Sequence, residues 1–204
     1  MNIALSDAAR DTLGNAGLEL VRLYTGSALE LNAYDVTARG YAERADDFYL
    51  STTKNIPAAL RLPLEIDNGK RREELVEHYR SEAIQRTCED YLVRSVSVTD
   101  ASLEEVYESA LEHLSPDMNE QQRQRQVRSS WAIDPEGRTN IASYLVNVAR
   151  LIAPAGKQST IDMVFDRYCE IREIRHALVH NHGARCQKRT RPVSISCEIV
   201  FQKI

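Results

Sequence analysis

Between Glu170 and Gly183 the chain carries Arg172, Arg175, His176, His180, Asn181 and His182, and Arg185, Lys188, Arg189 and Arg191 follow without an intervening acid. Histidine titrates near neutrality and serves as either base or acid, while arginine holds a permanent charge and a planar fork of N–H donors matched to phosphate oxygens. Together they suit proton transfer on an anionic substrate. The chain as a whole has a formal net charge of -4, which argues against a broadly basic nucleic-acid surface. Any contact with a nucleic acid is therefore expected to be local, at this basic stretch.

A helix is expected to position these residues. Ser159 or Thr160 reads as its cap, its apolar stripe runs through Ile161, Val164, Phe165, Tyr168, Ile171, Ile174 and Leu178, and Gly183 supplies a usual stop. At about 100° per residue Arg172, His176 and His180 fall near one line, with Arg175 rotated about 140° from His180. His180 falls close to the expected helix C-terminus, the negative end of the macrodipole, where cations are favoured.

Arginine, a polar residue, three further residues and histidine is the signature of the HEPN superfamily (higher eukaryotes and prokaryotes nucleotide-binding), and the chain resembles it at Arg175, His176 and His180. The stretch Thr87-Cys88-Glu89-Asp90-Tyr91-Leu92 looks like the helix packed beside the motif in defence-associated branches. The resemblance covers about residues 71 to 183. It implies a metal-independent endoribonuclease, of a toxin or antiphage-defence kind, that works as a homodimer with two motifs facing across a cleft. Arg175, His176 and His180 would be catalytic, with Arg172, Asn181, Arg185, Lys188 and Arg189 holding RNA, no cofactor or metal, and a regulatory or antitoxin partner. The chemistry is consistent with this: metal-free cleavage needs a base for the 2′-hydroxyl, a cation for the phosphorane and an acid for the 5′-oxygen. One motif supplies one clear histidine, and symmetric pairing supplies two. His176 offers a second ring within the one chain.

Plainer readings compete. Arg175 could pair with Glu170 or Glu173 on a solvated helix face, with His180 as a helix-end cap. His176, His180, His182 and Cys186 suggest zinc, but they form no recognised closed site. The competing functional class is a non-catalytic HEPN-like module that binds nucleotide or RNA, or serves as an adaptor.

The remaining elements must hold this helix. With 204 residues a single domain spanning 1–204 is expected, mainly α, as an up-and-down helical bundle with a small two-stranded addition of about 58–66 with 193–201. In those two segments apolar and polar residues alternate, Leu60 to Ile66 and Val193 to Phe201. Leu5 to about Ser51 reads as one or two helices, with Gly26 or Gly40 as a break. A helical pattern from about Arg71 to Val96 follows Asp67-Asn68-Gly69, and Ser102 with Glu105 matches a capping box opening a helix from Leu103 to Leu114. Residues 119–128 read as an exposed helix or a mobile loop, and Thr139 to Leu151 as another helix. Four cysteines without CxxC spacing, no secretory signal and no apolar run of roughly 18 to 20 residues point to a reduced cytoplasm and no membrane span.

Overall fold

The computed structural model describes residues 7–51, 57, 59, 69–151, 156 and 158–181. The chain is mainly α-helical, with a small two-stranded antiparallel sheet: α1 (Asp7–Ala42), β1 (Tyr49–Leu50), β2 (Lys70–Arg71), α2 (Arg72–Arg80), α3 (Glu82–Leu114), α4 (Glu120–Arg128), α5 (Asn140–Asn147) and α6 (Ile161–Asn181). No described helix is long and apolar enough to cross a membrane. Two compact units are present: one joins Met1–Leu23 to Leu92–Ile204, and the other is Tyr24–Tyr91. Their boundaries fall inside α1 and inside α3.

In the first unit the core gathers Ala9 of α1, Val106, Tyr107 and Leu111 of α3, Ile141, Ala142 and Leu145 of α5, and Phe165 of α6. Ile141 is fully buried. The short α5 reaches this core because both of its ends are tied. Thr139 Oγ1 accepts the Ala142 N–H at 3.4 Å, and before it Asp134 Oδ1 accepts the Glu136 and Arg138 amides at 2.9 Å each. Those amides, Arg138 first, hold the Asp134 carboxyl below the ordinary aspartate range. The helix stops at Asn147, short of the expected Leu151, where Arg150 adopts φ 58° and the Leu151 N–H reaches the Leu145 carbonyl at 2.8 Å. A left-handed residue just past the last turn is a common helix stop, and here the closing bond spans six residues, from Leu151 to Leu145.

The second unit is held by rings. Tyr79 of α2 stacks on Tyr41 of α1 at 6.0 Å between centroids, Tyr34 lies 5.8 Å from it, and Phe48 stacks on Tyr41 at 5.7 Å. The Tyr34 hydroxyl meets Thr87 of α3 at 3.2 Å. In the sheet Tyr49 pairs with Arg71 and Leu50 with Lys70. Gly69 precedes β2 because a Cβ there would overlap the Tyr49 ring and stand 2.7 Å from the Leu50 carbonyl oxygen. Apart from Ala59, the expected strand pair of about 58–66 with 193–201 lies outside the described residues.

Three further readings differ from those expected. Gly26 and Gly40 do not break α1; each lies inside its 36 residues. The pattern from Arg71 to Val96 is interrupted at Ser81, which leaves the helical conformation at φ -133°. Ser102 opens no helix, since it lies within α3 and donates to the Val98 carbonyl at 2.8 Å. Ser97 and Thr99 bond in the same way to Val93 and Ser95 at 2.8 and 2.9 Å. These hydroxyls are satisfied by their own helix, so they do not compete with it. Glu105 meanwhile accepts the Thr12 hydroxyl at 2.9 Å and has no capping role. Residues 120–128 are helical, opened by reciprocal bonds between Asn119 and Gln122 at 2.9 and 3.0 Å.

Candidate active site on the last helix

Thr160 starts α6, its hydroxyl accepting the Met163 N–H at 3.2 Å, and the helix continues to Asn181. Phe165 enters the core while Tyr168 and Arg172, one and two turns later, face α3. The Tyr168 hydroxyl lies 2.8 Å from Asp100 Oδ1 and 3.2 Å from the Val96 carbonyl. Burial, then the Asp100 carboxylate, pushes the phenol far above its ordinary value. Arg172 Nε donates to the same Asp100 oxygen at 2.8 Å, and its guanidinium carbon lies 3.7 Å from the centre of the Trp131 ring. Trp131 Nε1 donates to Glu104 Oε1 at 2.6 Å. Asp100, Trp131 and Glu104 therefore lock α6 against α3. Arg172, expected among the RNA contacts, has its charge taken up inside the protein.

Arg175 is placed differently. Its Nη2 reaches Ser97 Oγ of α3 at 3.4 Å, and Ser97, which gives its proton to Val93, offers a lone pair in return. The Arg175 Nε is buried with no acceptor. No ion pair joins Arg175 to a described carboxylate, so the pairing with Glu170 or Glu173 is not formed among the described residues. A buried donor left unmatched costs about 1–3 kcal/mol.

His176 and His180 are both exposed, and their rings stand 4.4 Å apart between centroids at an angle of 48°. Neither is hydrogen-bonded to a described residue, in contrast to His78, whose Nδ1 lies 2.9 Å from Glu82. The structure thus brings His176 and His180 together but turns Arg175 toward α3. Asn181 closes the helix, with its side chain outside the described residues, as are Arg185, Lys188 and Arg189.

Sequence reasoning missed Ser97, Asp100 and Trp131, the residues that orient the motif helix. A hydroxyl-rich stretch in a long helix and a lone tryptophan were the signals, and neither names a partner. A groove of about 250 Å³ beside α6 is floored by Phe165 and Cys169 and walled by Asp162, Asp166, Glu170 and Glu173. Burial raises the Cys169 thiol above its usual value, so it is a poor nucleophile. Arg138 also lines the groove and pairs with Asp162 at 3.8 Å, but the acids outnumber it, so the lining disfavours phosphate and this groove is not where the motif chemistry would occur. Among the described residues no three histidine, cysteine, aspartate or glutamate side chains group as a metal site. Comparison with protein-family models, with curated proteins and with solved structures found no match.

Proposed function

We propose that the chain is a metal-independent endoribonuclease in which Arg175 binds the scissile phosphate and His180, with His176, moves protons as the RNA 2′-oxygen attacks. One observation carries this reading: a guanidinium with no carboxylate partner among the described residues and a buried Nε without an acceptor, on the helix that bears two exposed imidazoles. To meet a phosphate beside the imidazoles Arg175 must swing away from Ser97, and its unmatched Nε lowers the cost of that move, since a phosphate oxygen supplies the acceptor it lacks. The motif resemblance supports the same assignment, as well as a cytoplasmic toxin or defence role with an antitoxin-like partner.

What supports a homodimer is that Arg175 turns toward α3 while the rings face outward, so a second copy is a direct source of a facing imidazole. The RNA path would continue along Arg185, Lys188 and Arg189.

The test is incubation with RNA in excess EDTA, followed by analysis of the ends. Products with 2′,3′-cyclic phosphate and 5′-hydroxyl ends are expected, with DNA and 2′-O-methylated RNA resistant, because the nucleophile belongs to the substrate. Products with 3′-hydroxyl ends, a strict metal requirement, or undiminished cleavage by His180→Ala would overturn the reading. RNA binding without cleavage would favour the non-catalytic module.

A further inference from the structure

We infer that His176 and His180 form a two-imidazole chelate for a first-row divalent ion, zinc or copper(II), whose occupancy takes His180 out of acid–base work. The consequence for activity rests on the proposed ribonuclease reading; the chelate does not. The two residues are one helical turn apart on α6, both exposed, with centroids 4.4 Å apart. A metal–nitrogen bond of about 2.1 Å places an ion about 3.2 Å from each ring centre, so the centres stand about 4.6 Å apart at the right angle of copper(II) and about 5.3 Å apart at the tetrahedral angle of zinc. The observed spacing is close to the first value and about 1 Å short of the second, so rotation of the two rings completes the copper(II) site and zinc also needs them to spread.

Nothing described competes for the ring nitrogens. The helix C-terminus, one residue beyond His180, presents carbonyl oxygens whose partial negative charge favours a cation. Arg175, the nearest motif cation in sequence, directs its Nη2 to Ser97. With no third protein ligand among the described residues, water fills the other positions and binding stays reversible. That suits an inhibitor better than a structural ion. An imidazole whose lone pair bonds a metal accepts no proton. Nitrogen ligands also fix the class of ion: copper(II) binds more tightly than zinc, and magnesium and calcium, which prefer oxygen, do not bind.

The experiment titrates zinc and copper(II) into the full chain by calorimetry, with the copper electron-paramagnetic spectrum as an independent readout. Expected are two nitrogen donors in that spectrum and an affinity loss of about tenfold or more in each of His176→Ala and His180→Ala, at least the effect of losing a ligand's supporting partner. His78→Ala and His182→Ala should leave affinity unchanged. Added zinc should inhibit RNA cleavage by the wild-type protein, EDTA should restore it, and magnesium should do neither. Affinity unchanged in both chelate variants, or lost equally in His182→Ala, would overturn the chelate. If the metal-free protein cleaves no RNA, the enzymatic reading fails while the titration still decides the chelate.

Discussion

The Arg172 guanidinium lies 3.7 Å over the Trp131 ring, and the same side chain donates to Asp100 at 2.8 Å. A cation on an aromatic face and a carboxylate at its edge fix the rotation of α6, and so decide which of its residues turn to α3 and which to solvent. Arg172→Ala should lower unfolding free energy by about 1.5–3 kcal/mol, as for a hydrogen bond to a charged group. A double-mutant cycle with Asp100→Ala, followed by urea denaturation, should show coupling of about 0.5–3 kcal/mol. Additive losses would mean that the contact holds nothing.

Arg175→Ala is expected to behave in the opposite way. It removes a donor that already lacks an acceptor and a long bond to Ser97, so the urea midpoint should change little. RNA cleavage in EDTA should fall by about 10²–10³, the usual result of deleting one electrostatic stabiliser of a transition state. A variant that unfolds while its remaining folded fraction cleaves normally would assign Arg175 to structure.

Alkaline pH should probe the Tyr168 contact. Its phenol is raised by burial and by Asp100, so its stabilising contribution is complete below the unfolded value of about 10 and is lost as pH rises toward the folded one. Wild type should exceed Tyr168→Phe in stability at pH 7, and the gap should narrow as pH passes about 10. A gap independent of pH would contradict the assignment. Tyr79 and Tyr107, also raised by burial, contribute equally to both proteins and cancel.

Two hydroxyl or amide positions that look alike in sequence should separate on mutation. Asn119→Ala removes a working helix cap and should destabilise by about 1 kcal/mol. Ser102→Ala removes only a bond to a carbonyl of its own helix, with an expected change within about 0.5 kcal/mol. Chemical denaturation of both variants checks the contrast.

The proposed cleft requires a pair of chains. Small-angle scattering and sedimentation should give twice the monomer mass, and His176→Glu, on the exposed side of the helix proposed to line that interface, should shift the balance toward monomer. A wild-type protein that stays monomeric throughout would remove the symmetric mechanism.

How far the sequence could be read follows from the range of each interaction. The starts of α5 and α6 were legible because Thr139 and Thr160 act within three residues of themselves. Asn119 with Gln122 makes the reciprocal cap that Ser102 with Glu105 only resembles, and composition does not distinguish them. What does is context, since α3 buries Val96 on one side of Ser102 and Val106, Tyr107 and Leu111 on the other, and this burial carries the helix past Ser102. At the candidate site the histidine pair was legible from its spacing. The division of labour between Arg172 and Arg175 was not, because it depends on Asp100 and Ser97, 72 and 78 residues away. Trp131 enters from a turn with no periodic signal at all.

Trp131 is the chain's one tryptophan, and it belongs to the unit formed by Met1–Leu23 and Leu92–Ile204. Tyr24, Tyr34, Tyr41, Tyr49, Tyr79 and Tyr91 all belong to the other. Trp131 therefore labels one unit alone, while six of the nine tyrosines lie in the other and Tyr107, Tyr144 and Tyr168 share the unit of Trp131. Indole emission excited at the red edge reports the seating of α6 under Arg172, while near-ultraviolet dichroism of tyrosine draws on six rings of the Tyr24–Tyr91 segment together with Tyr107, Tyr144 and Tyr168. Melting the native protein with both signals recorded asks whether the halves lose structure as one cooperative body or in succession, without a dye, a tag or a substitution.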